Sequence, residues 1–424
     1  GVPWCQLIGC PVGNHIPVFN DMVYRVQFAE ALDILHSTNN FPELTGRICP
    51  APCEAACTLS IGDAPVLIKH IEQRIVEFGF ARGLIRAQPA AKMTGRTVAV
   101  IGSGPSGLAC AQQLARAGVT VTVFEKSDRI GGLLRYGIPE FKLEKWVLDR
   151  RLDQLKAEGV AFETRVSVGS DMTIDYLRRK FDAVVLAIGA GRPREVEIPG
   201  RNLNGIHLAV PYLTRVQQYV SGDRSENESL AGKRVLVIGG GDTGANLVGV
   251  SNRQGAAAVV QVEILPKPTE HLRDDNPNWP DWPFILRTAD EHKEGCDRRW
   301  SIQTKAFVGD AAGNVRSARC VELDWSTPDA TGRRSFVERP GSEFDIAADI
   351  VLIAAGFTGP ETGEWTDAHG IGLTPRGAFA TDANGMTSLP GVFATGDCAM
   401  GASLVVHAIA SGRRIADAAL QFLK

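Results

Sequence analysis

Two glycine-spaced turns and one group of cysteines are the places where residue type and spacing in this sequence could do chemistry. Gly102, Gly104 and Gly107 follow the apolar run TVAVI and open a helical pattern, and Glu125 ends the next apolar run 23 residues after Gly102. The first glycine permits the tight turn, the second lets the backbone approach a pyrophosphate, and the third lets helix and strand pack closely. The helix start offers free N–H groups and a positive dipole end to phosphate, and the Glu125 carboxylate can accept bonds from ribose hydroxyls. Ser103, Pro105 and Lys126 flank these positions and are assigned to the same nucleotide, with Gly132 and Leu133 in GGLL and Gly189 after VVLAI. The alternative, glycines that only permit a tight turn, is disfavoured because strand, helix and acid all stand in place.

The spacing recurs at Gly239, Gly241 and Gly244, with Gly240, Asp242 and Thr243 between them. Here the next strand ends in VEILPKP, where Glu263 suits a bare ribose and Lys267 suits a 2′-phosphate, so NADH and NADPH both stay open. Two such units suggest two nucleotides that meet, a tightly held flavin and an exchangeable nicotinamide. The stretch TGDC supports the flavin. Gly396 and Asp397 end an apolar strand, and a helix begins near Ser403, Leu404 and Val405. Asp397 is placed to bond the ribityl chain while backbone N–H groups face the ring; an ordinary Gly-Asp turn is the alternative.

Of nine cysteines, five lie near the start: Cys5, Cys10, and then Cys49, Cys53 and Cys57 in RICPAPCEAAC. Pro50 and Pro52 argue against a regular helix through the start of that run, and a loop suits an iron-sulfur cluster because its N–H groups can bond the cluster sulfurs. Five thiols exceed one four-ligand site, so a second site exists or one thiol is spare. Structural zinc is the alternative, weakened by the flavin and nicotinamide units, which create a need for a one-electron acceptor. Cys110, Cys296, Cys320 and Cys398 contain no CxxC pair, against a dithiol reductase; Cys110 reads as a small core residue. His15, His70 and His407 read as structural, and no catalytic residue is expected, since hydride transfer to a flavin needs no acid or base from the protein.

The elements that must position these residues can be read from periodicity. At 424 residues with 44% hydrophobic, the chain can bury a core in each of two to four domains. The formal charge of −3 carries no block of one sign, so nothing points to nucleic acid or an anionic membrane surface. No apolar stretch approaches the about 20 residues of a membrane helix, and GVPWCQLIGC lacks the pattern of a secretory signal. That opening reads as the middle of a longer protein with a cysteine motif under way, and a cytoplasmic location is expected. Residues 24–35 and 66–78 read as amphipathic helices and residues 87–94 as a polar linker. From Arg96 onward the alternation of strand, glycine turn, helix and strand builds a parallel sheet, twice. The expected fold is α/β, with two Rossmann-like dinucleotide-binding domains, one inserted in the other, behind a small helical iron-sulfur domain. The boundaries are 1–92 for the iron-sulfur domain, 93–199 with 346–424 for the FAD domain, and 200–345 for the NAD(P)H domain. The segment PKPTEHLRDDNPNWPDWPFILRT, with Trp279 and Trp282, could be a lid or a docking surface; an insert packed on its own domain is the preferred reading.

With these residues assembled, the sequence resembles the small (beta) subunits of glutamate synthase almost end to end: GVPWCQ, GCPVGNHIP, TNNFPELTGRICPAPCEAAC, IGSGPSGLA, GGLLRYGIPEFKLEK, VIGGGDTG and GVFATGDCAMGASLVVHAI. The resemblance implies FAD in the first unit, NADPH or NADH in the second, and one or two [4Fe-4S] clusters near the start. By matching position, Cys10, Cys49 and Cys53 would hold one cluster with Glu72 as candidate fourth ligand, the alternative for Glu72 being a solvent-facing helix position. Cys5 and Cys57 would belong to the other, whose remaining CxxC precedes GVPWC in the family. Many members carry paired arginines where this chain has ProLysPro at 266–268, which weakens the inference to NADPH. The implied activity takes a hydride from NAD(P)H to FAD and passes single electrons through the clusters to a large subunit that makes glutamate from glutamine and 2-oxoglutarate. A related subunit serving ferredoxin or polysulfide, and a zinc-stabilised docking subunit, are the competing readings.

Overall fold

The computed structural model describes residues 1–270, 279–281, 285–327 and 334–424. The cysteine-rich end is built from short helices, α1 (Ile16–Tyr24), α2 (Phe28–Thr38), α3 (Pro42–Ile48), α4 (Pro52–Ala55) and α5 (Ile68–Ala81). The helix expected over residues 24–35 is corrected to one that begins at Phe28, with Tyr24 ending the helix before it. Apolar periodicity continues across the junction, but Val26 takes φ +61, and a β-branched residue in the left-handed region ends a helix. Pro52 also departs from expectation by starting a turn of helix, since at the first helical position the missing N–H costs no bond. Phe19, Leu35 and Ile75 fill the core of this part with no exposure.

The first glycine unit contains β1 (Thr97–Ile101), α6 (Pro105–Arg116), β2 (Thr120–Glu125), α7 (Leu133–Tyr136), α8 (Lys145–Ala157), β3 (Ala161–Thr164), α9 (Ile174–Lys180) and β4 (Ala183–Leu186). The four residues of β4 are all buried, as expected of a parallel strand covered on both faces. Beyond it β5 (Arg192–Pro193) leads into the second unit.

That unit runs β6 (Ile206–Leu208), α10 (Ala209–Val220), β7 (Arg234–Ile238), α11 (Asp242–Arg253), β8 (Ala258–Glu263), α12 (Asp290–Lys293) and β9 (Asp297–Trp300). An antiparallel layer follows, from β10 (Ile302–Gly309), β11 (Val315–Trp325), β12 (Phe336–Glu338) and β13 (Phe344–Ala347), before β14 (Ile350–Ile353) returns to the parallel sheet in the order β6-β14-β7-β8-β9. Ile350–Ile353 pairs in parallel with β7. The second unit therefore extends past the expected boundary at residue 345, because an all-apolar strand carries no mark of which sheet it joins.

The chain then crosses back through β15 (Phe357–Gly359), which pairs antiparallel with β5, and α13 (Glu364–Asp367). β16 (Val392–Ala394) completes the first sheet in the order β16-β4-β1-β2-β3, and α14 (Asp397–Met400) and α15 (Val405–Phe422) end the chain.

The cysteine-rich part is welded to the first unit. Phe41 and Leu44 of α3 lie in the core shared with β1, α6 and α8. Beside them Arg151 holds both oxygens of Glu43 at 2.7 Å, with the two side chains 1% and 0% exposed. Breaking a buried pair by removing one partner strands a charge, so Glu43→Ala is expected to cost about 3–5 kcal/mol. Chemical denaturation measures this, and a loss below about 1 kcal/mol would show that the pair is not the weld.

Candidate nucleotide and cluster sites

The two glycine turns have the same construction. Gly102 (φ +102) and Gly239 (φ +123) follow β1 and β7, and a Cβ on either would meet the carbonyl oxygen of Ala187 at 2.4 Å or of Ala354 at 2.2 Å. The third glycines, Gly107 and Gly244, approach the carbonyls of Gly102 and Gly239 so closely that a Cβ would stand 2.1 Å away. The middle ones differ: a Cβ on Gly104 or Gly241 would meet nothing within 4 Å. Two glycines of each trio serve packing, and one faces free space at the start of a helix without a side-chain cap. Open backbone beside uncapped N–H groups fits a pyrophosphate.

The acid after each second strand is held by the turn. Glu125, buried, accepts from Ser103 N at 3.1 Å and Ser103 Oγ at 2.5 Å through one oxygen, and from Ser127 N at 2.8 Å through the other. Glu263 accepts from Gly240 N at 2.6 Å and Leu265 N at 3.0 Å. A carboxylate has about four acceptor positions, so each keeps capacity for a ribose hydroxyl. Ser127 and Leu265 were not singled out from sequence; Ser103, assigned there to the nucleotide, also braces Glu125.

Other candidates gather around the first turn. Gly132 (φ +54) lies against Gly104, where a Cβ would come within 3.0 Å of its Cα, and leads into Leu133, which is exposed. Gly396 (φ +67) lies against Ser106, the residue after Pro105, and its N–H donates to Ser411 Oγ at 3.0 Å. Gly189 (φ +71) has open space at its Cβ position. Asp397 begins α14 rather than preceding α15 directly, and its carboxylate accepts from Ser403 Oγ at 2.7 Å. Burial pushes the Asp397 carboxyl up to about 6. Leu404 and Val405 start α15, whose N-terminus also lacks a side-chain cap. Lys126 instead forms an exposed ion pair with Glu361 at 2.5 Å.

At the second turn, Asp242 and Thr243 open α11. Lys267 is exposed and paired with Glu270 at 2.6 Å, and its ammonium lies 5.6 Å from the Trp300 ring. Its charge is thus partly offset. Trp279 is not confined to its own unit: its indole N–H donates to Ala55 O of α4 at 3.1 Å. The last carbonyls of a short helix lack partners within it, and an indole N–H needs an acceptor. Trp282 lies outside the described residues.

The thiols fall into two groups. Cys10, Cys49 and Cys53 line one cavity together with Glu72, Asn14, Thr45, Lys69 and Val406. Burial pushes the Cys10 and Cys49 thiols up to about 12, and that of Cys53 up as well, with Glu72 raising each further. Glu72 is 4% exposed, which excludes a solvent-facing position, and burial pushes its carboxyl up to about 7. Asn14 Nδ2 donates to Glu72 Oε1 at 2.7 Å and Thr45 Oγ1 to Oε2 at 3.4 Å. Cys5 is half-buried and faces Cys57, which raises its thiol after burial does.

Thiols buried in this way stay protonated unless a cation offsets the thiolate charge, and backbone N–H groups point at them, such as Ala51 N to Cys49 Sγ at 3.4 Å. Ala51 holds φ +56 between the two prolines, and a Cβ on Gly9 would meet Cys53 Cα at 2.7 Å. Strain and close approach of this kind concentrate at binding sites. Among the described residues no three His, Cys, Asp or Glu converge as a single ion requires. Zinc ligands sit about 2.3 Å from the metal, whereas these donors line a small cavity without converging on one point. No local signal marks Asn14, Thr45 or Val406, which come from distant segments. A wider cavity lined by Trp300, Glu322, Arg339 and Ser342 holds none of the thiols or glycine turns.

Cys110 and Cys398 are fully buried and all nine cysteines are unpaired. Of the histidines set aside, His15 meets Gln6 at 3.2 Å, His70 is exposed, and His407 on α15 has its pKa lowered by burial.

Against known proteins, the profile of the family described as "Pyridine nucleotide-disulphide oxidoreductase" matches residues 96–412, and that of "Dihydroprymidine dehydrogenase domain II, 4Fe-4S cluster" matches residues 2–84. "Glutamate synthase [NADPH] small chain" of Mycobacterium tuberculosis is 49% identical over all of this chain and 86% of its own length. "Glutamate synthase [NADH]" of Saccharomyces cerevisiae is 45% identical, again over all of this chain but only 20% of its own length. Among solved structures, Mycobacterium tuberculosis FprA in complex with NADPH aligns with a TM-score of 0.62 at 18% identity, over 77% of this chain and 84% of its own. Thioredoxin reductase of T. acidophilum aligns with a TM-score of 0.53 at 20% identity, over 77% and 98%. At such identities the structural likeness concerns the fold.

Two outcomes are expected. Gly104→Glu should leave the fold intact, since its Cβ position is open, but abolish bound flavin absorbance; flavin retained at wild-type stoichiometry would remove this turn from the site. Asp397→Asn should act through pH. A raised carboxyl stabilises the folded state at pH below its unfolded value of 3.8 and loses that contribution as pH rises through about 6. In flavin-free protein the variant should therefore be more stable than wild type above pH 6, by up to about 3 kcal/mol, with the gap closing below about pH 4. Thermal melts at both pH values measure it.

Proposed function

The chain belongs to the pyridine nucleotide-disulphide oxidoreductase family and to the glutamate synthase small chains, and from that membership we propose that it oxidises NAD(P)H and delivers the electrons to a glutamate synthase large subunit. It is an NAD(P)H-dependent oxidoreductase carrying FAD and iron-sulfur. When bound, FAD accepts two electrons as hydride and the clusters carry one at a time.

The positions of the residues support the following roles. Gly102, Gly104, Gly107 and Glu125 hold the FAD pyrophosphate and ribose, and Asp397 with the start of α15 holds the part nearest the ring. Gly239, Gly241 and Gly244, with Glu263, hold the nicotinamide nucleotide. Cys10, Cys49 and Cys53 bind one cluster with Glu72 at its side, and Cys5 and Cys57 contribute to a second. The observation that carries this reading is the pair of identically built turns, each with one glycine left open, in one chain with a cavity of buried thiols. A link between the two sites is supported by the first turn of α15, where Val405, assigned to the flavin, is followed by Val406, which lines the thiol cavity.

The partner is supported by the yeast relative, in which this sequence makes up 20% of one longer glutamate synthase chain. No helix among the described residues is long and apolar enough to cross a membrane, and we assign the protein to the cytoplasm, where unpaired thiols persist.

An anaerobic titration with NADPH and NADH, combined with iron and sulfide analysis, tests the proposal. Bleaching of a flavin spectrum with iron present is the expected result; stoichiometric zinc and no bleaching would refute it. Lys267→Glu should lower the preference for NADPH over NADH by about three- to tenfold, a modest effect because Glu270 already offsets the charge. An unchanged ratio would show that Lys267 does not meet a 2′-phosphate.

A further inference from the structure

The stretch GIPEFKLEK, residues 137–145, takes no part in either glycine turn or in the thiol cavity. It lies between α7 and α8 of the first unit and touches the second unit at three points. Glu140 N donates to Gln217 Oε1 of α10 at 2.9 Å, and Gln217 is buried. The Arg253 guanidinium of α11 sits 3.4 Å from the centroid of the Phe141 ring. Lys142 Nζ stands 2.8 Å from the carboxylate of Glu291 on α12, a side chain only 3% exposed.

Glu291 accepts no hydrogen bond of ordinary geometry among the described residues, so Lys142 is the charge that offsets a buried anion. Gly249 on α11 permits the approach: a Cβ there would come within 2.6 Å of Glu291 Cγ and 2.8 Å of Phe141 Cζ. The loop is stiffened from within, since the buried Lys145 ammonium donates to Ile138 O at 2.7 Å and Leu143 O at 2.9 Å. Just before it, Arg129 and the Tyr136 hydroxyl both engage Asp223 beyond α10, the hydroxyl at 3.2 Å.

Covalently the two units are joined by the crossings between β4 and β6 and after β14, which pair in the short β5–β15 ribbon. A ribbon this narrow offers little by itself to resist bending between the units. Hydride transfer needs far tighter control, because a misplacement of about 1 Å can cost about a hundredfold in rate.

We propose that residues 137–145 are a lock that fixes the second unit against the first at the spacing the hydride step requires, with Phe141, Lys142 and Glu291 as its positioning residues. The inference rests on reading the two glycine turns as the FAD and NAD(P)H sites. It assigns to the loop a role in geometry, separate from the binding of either nucleotide.

The test uses purified protein with its bound flavin, as wild type, Phe141→Ala, Glu291→Gln and the double variant Lys142→Met/Glu291→Leu. Three quantities are measured anaerobically: affinity for NADP⁺ and NAD⁺, the long-wavelength charge-transfer absorbance formed when a nicotinamide stacks on flavin, and the rate of flavin bleaching at saturating NADPH or NADH. Both single variants should keep flavin and nucleotide affinity, lose the charge-transfer absorbance, and bleach about ten- to a hundredfold more slowly. The apolar pair should recover much of the rate, since it closes the same interface without a charge. Bleaching of both single variants within about twofold of wild type would overturn the lock. Should these variants fail to fold, Arg253→Ala removes the half-exposed cation over Phe141 together with its ion pair to Glu294, both within reach of the same interface; slowing by about threefold or more supports the lock and an unchanged rate overturns it. A wild-type flavin that neither nucleotide bleaches would instead overturn the assignment of the two sites.

Discussion

At Gly102 the chain leaves β1 with φ +102 while the space a Cβ would need is filled by the Ala187 carbonyl oxygen, 2.4 Å away. Three residues later a helix begins so close to that turn that Gly107, in its first turn, also has no room for a side chain. This contact of backbone on backbone sets the direction of α6, and with it the place where unpaired N–H groups meet open space. The second unit repeats it, with Ala354 after β14 in the place of Ala187 after β4. Each cradle is therefore as rigid as the sheet beneath it. What binds there is positioned by packing that no flexible side chain can relax.

The thiol cavity depends on a different balance. Its donors come from α5, the turn at Cys10 and the prolyl loop at Cys49–Cys53, held together by Gly9 and by strained backbone at Ala51. Burial leaves these thiols neutral and the nearby Glu72 carboxyl raised, a set of groups whose charge state must change when a cationic centre occupies the space. Val406 closes one side of it from the first turn of α15, the helix that begins just after Asp397 and Ser403.

Three bodies are thus joined by interactions of unequal strength. The cysteine-rich part shares a core with the first unit and is fastened by the buried Arg151–Glu43 pair. The second unit hangs on a two-stranded ribbon and leans on residues 137–145. The joint between the two glycine turns is thus narrower than the shared core that fastens the cysteine-rich part to the first unit.

Much of this was legible in the sequence because the deciding residues are local. A glycine trio after an apolar strand constrains its own turn, and the acid 23 or 24 positions after its first glycine returns beside it because one helix and one strand have a nearly set length. Clustered thiols between prolines likewise announce a ligand site, and the end-to-end resemblance supplied the grouping of the cysteines that their spacing left open. Helix ends and sheet membership were less legible. An apolar period runs through Val26 without showing its left-handed backbone, and IVLI reads alike in either sheet. Contacts between distant segments left no local trace: Asn14 and Thr45 on Glu72, Trp279 on Ala55, Glu43 on Arg151, and Lys142 on Glu291. The sequence by itself determined which turns can hold phosphate and which thiols can hold a metal centre, because backbone sterics and donor chemistry act within a few residues. Only the tertiary structure decided which buried charge faces which, since that follows from how whole elements pack.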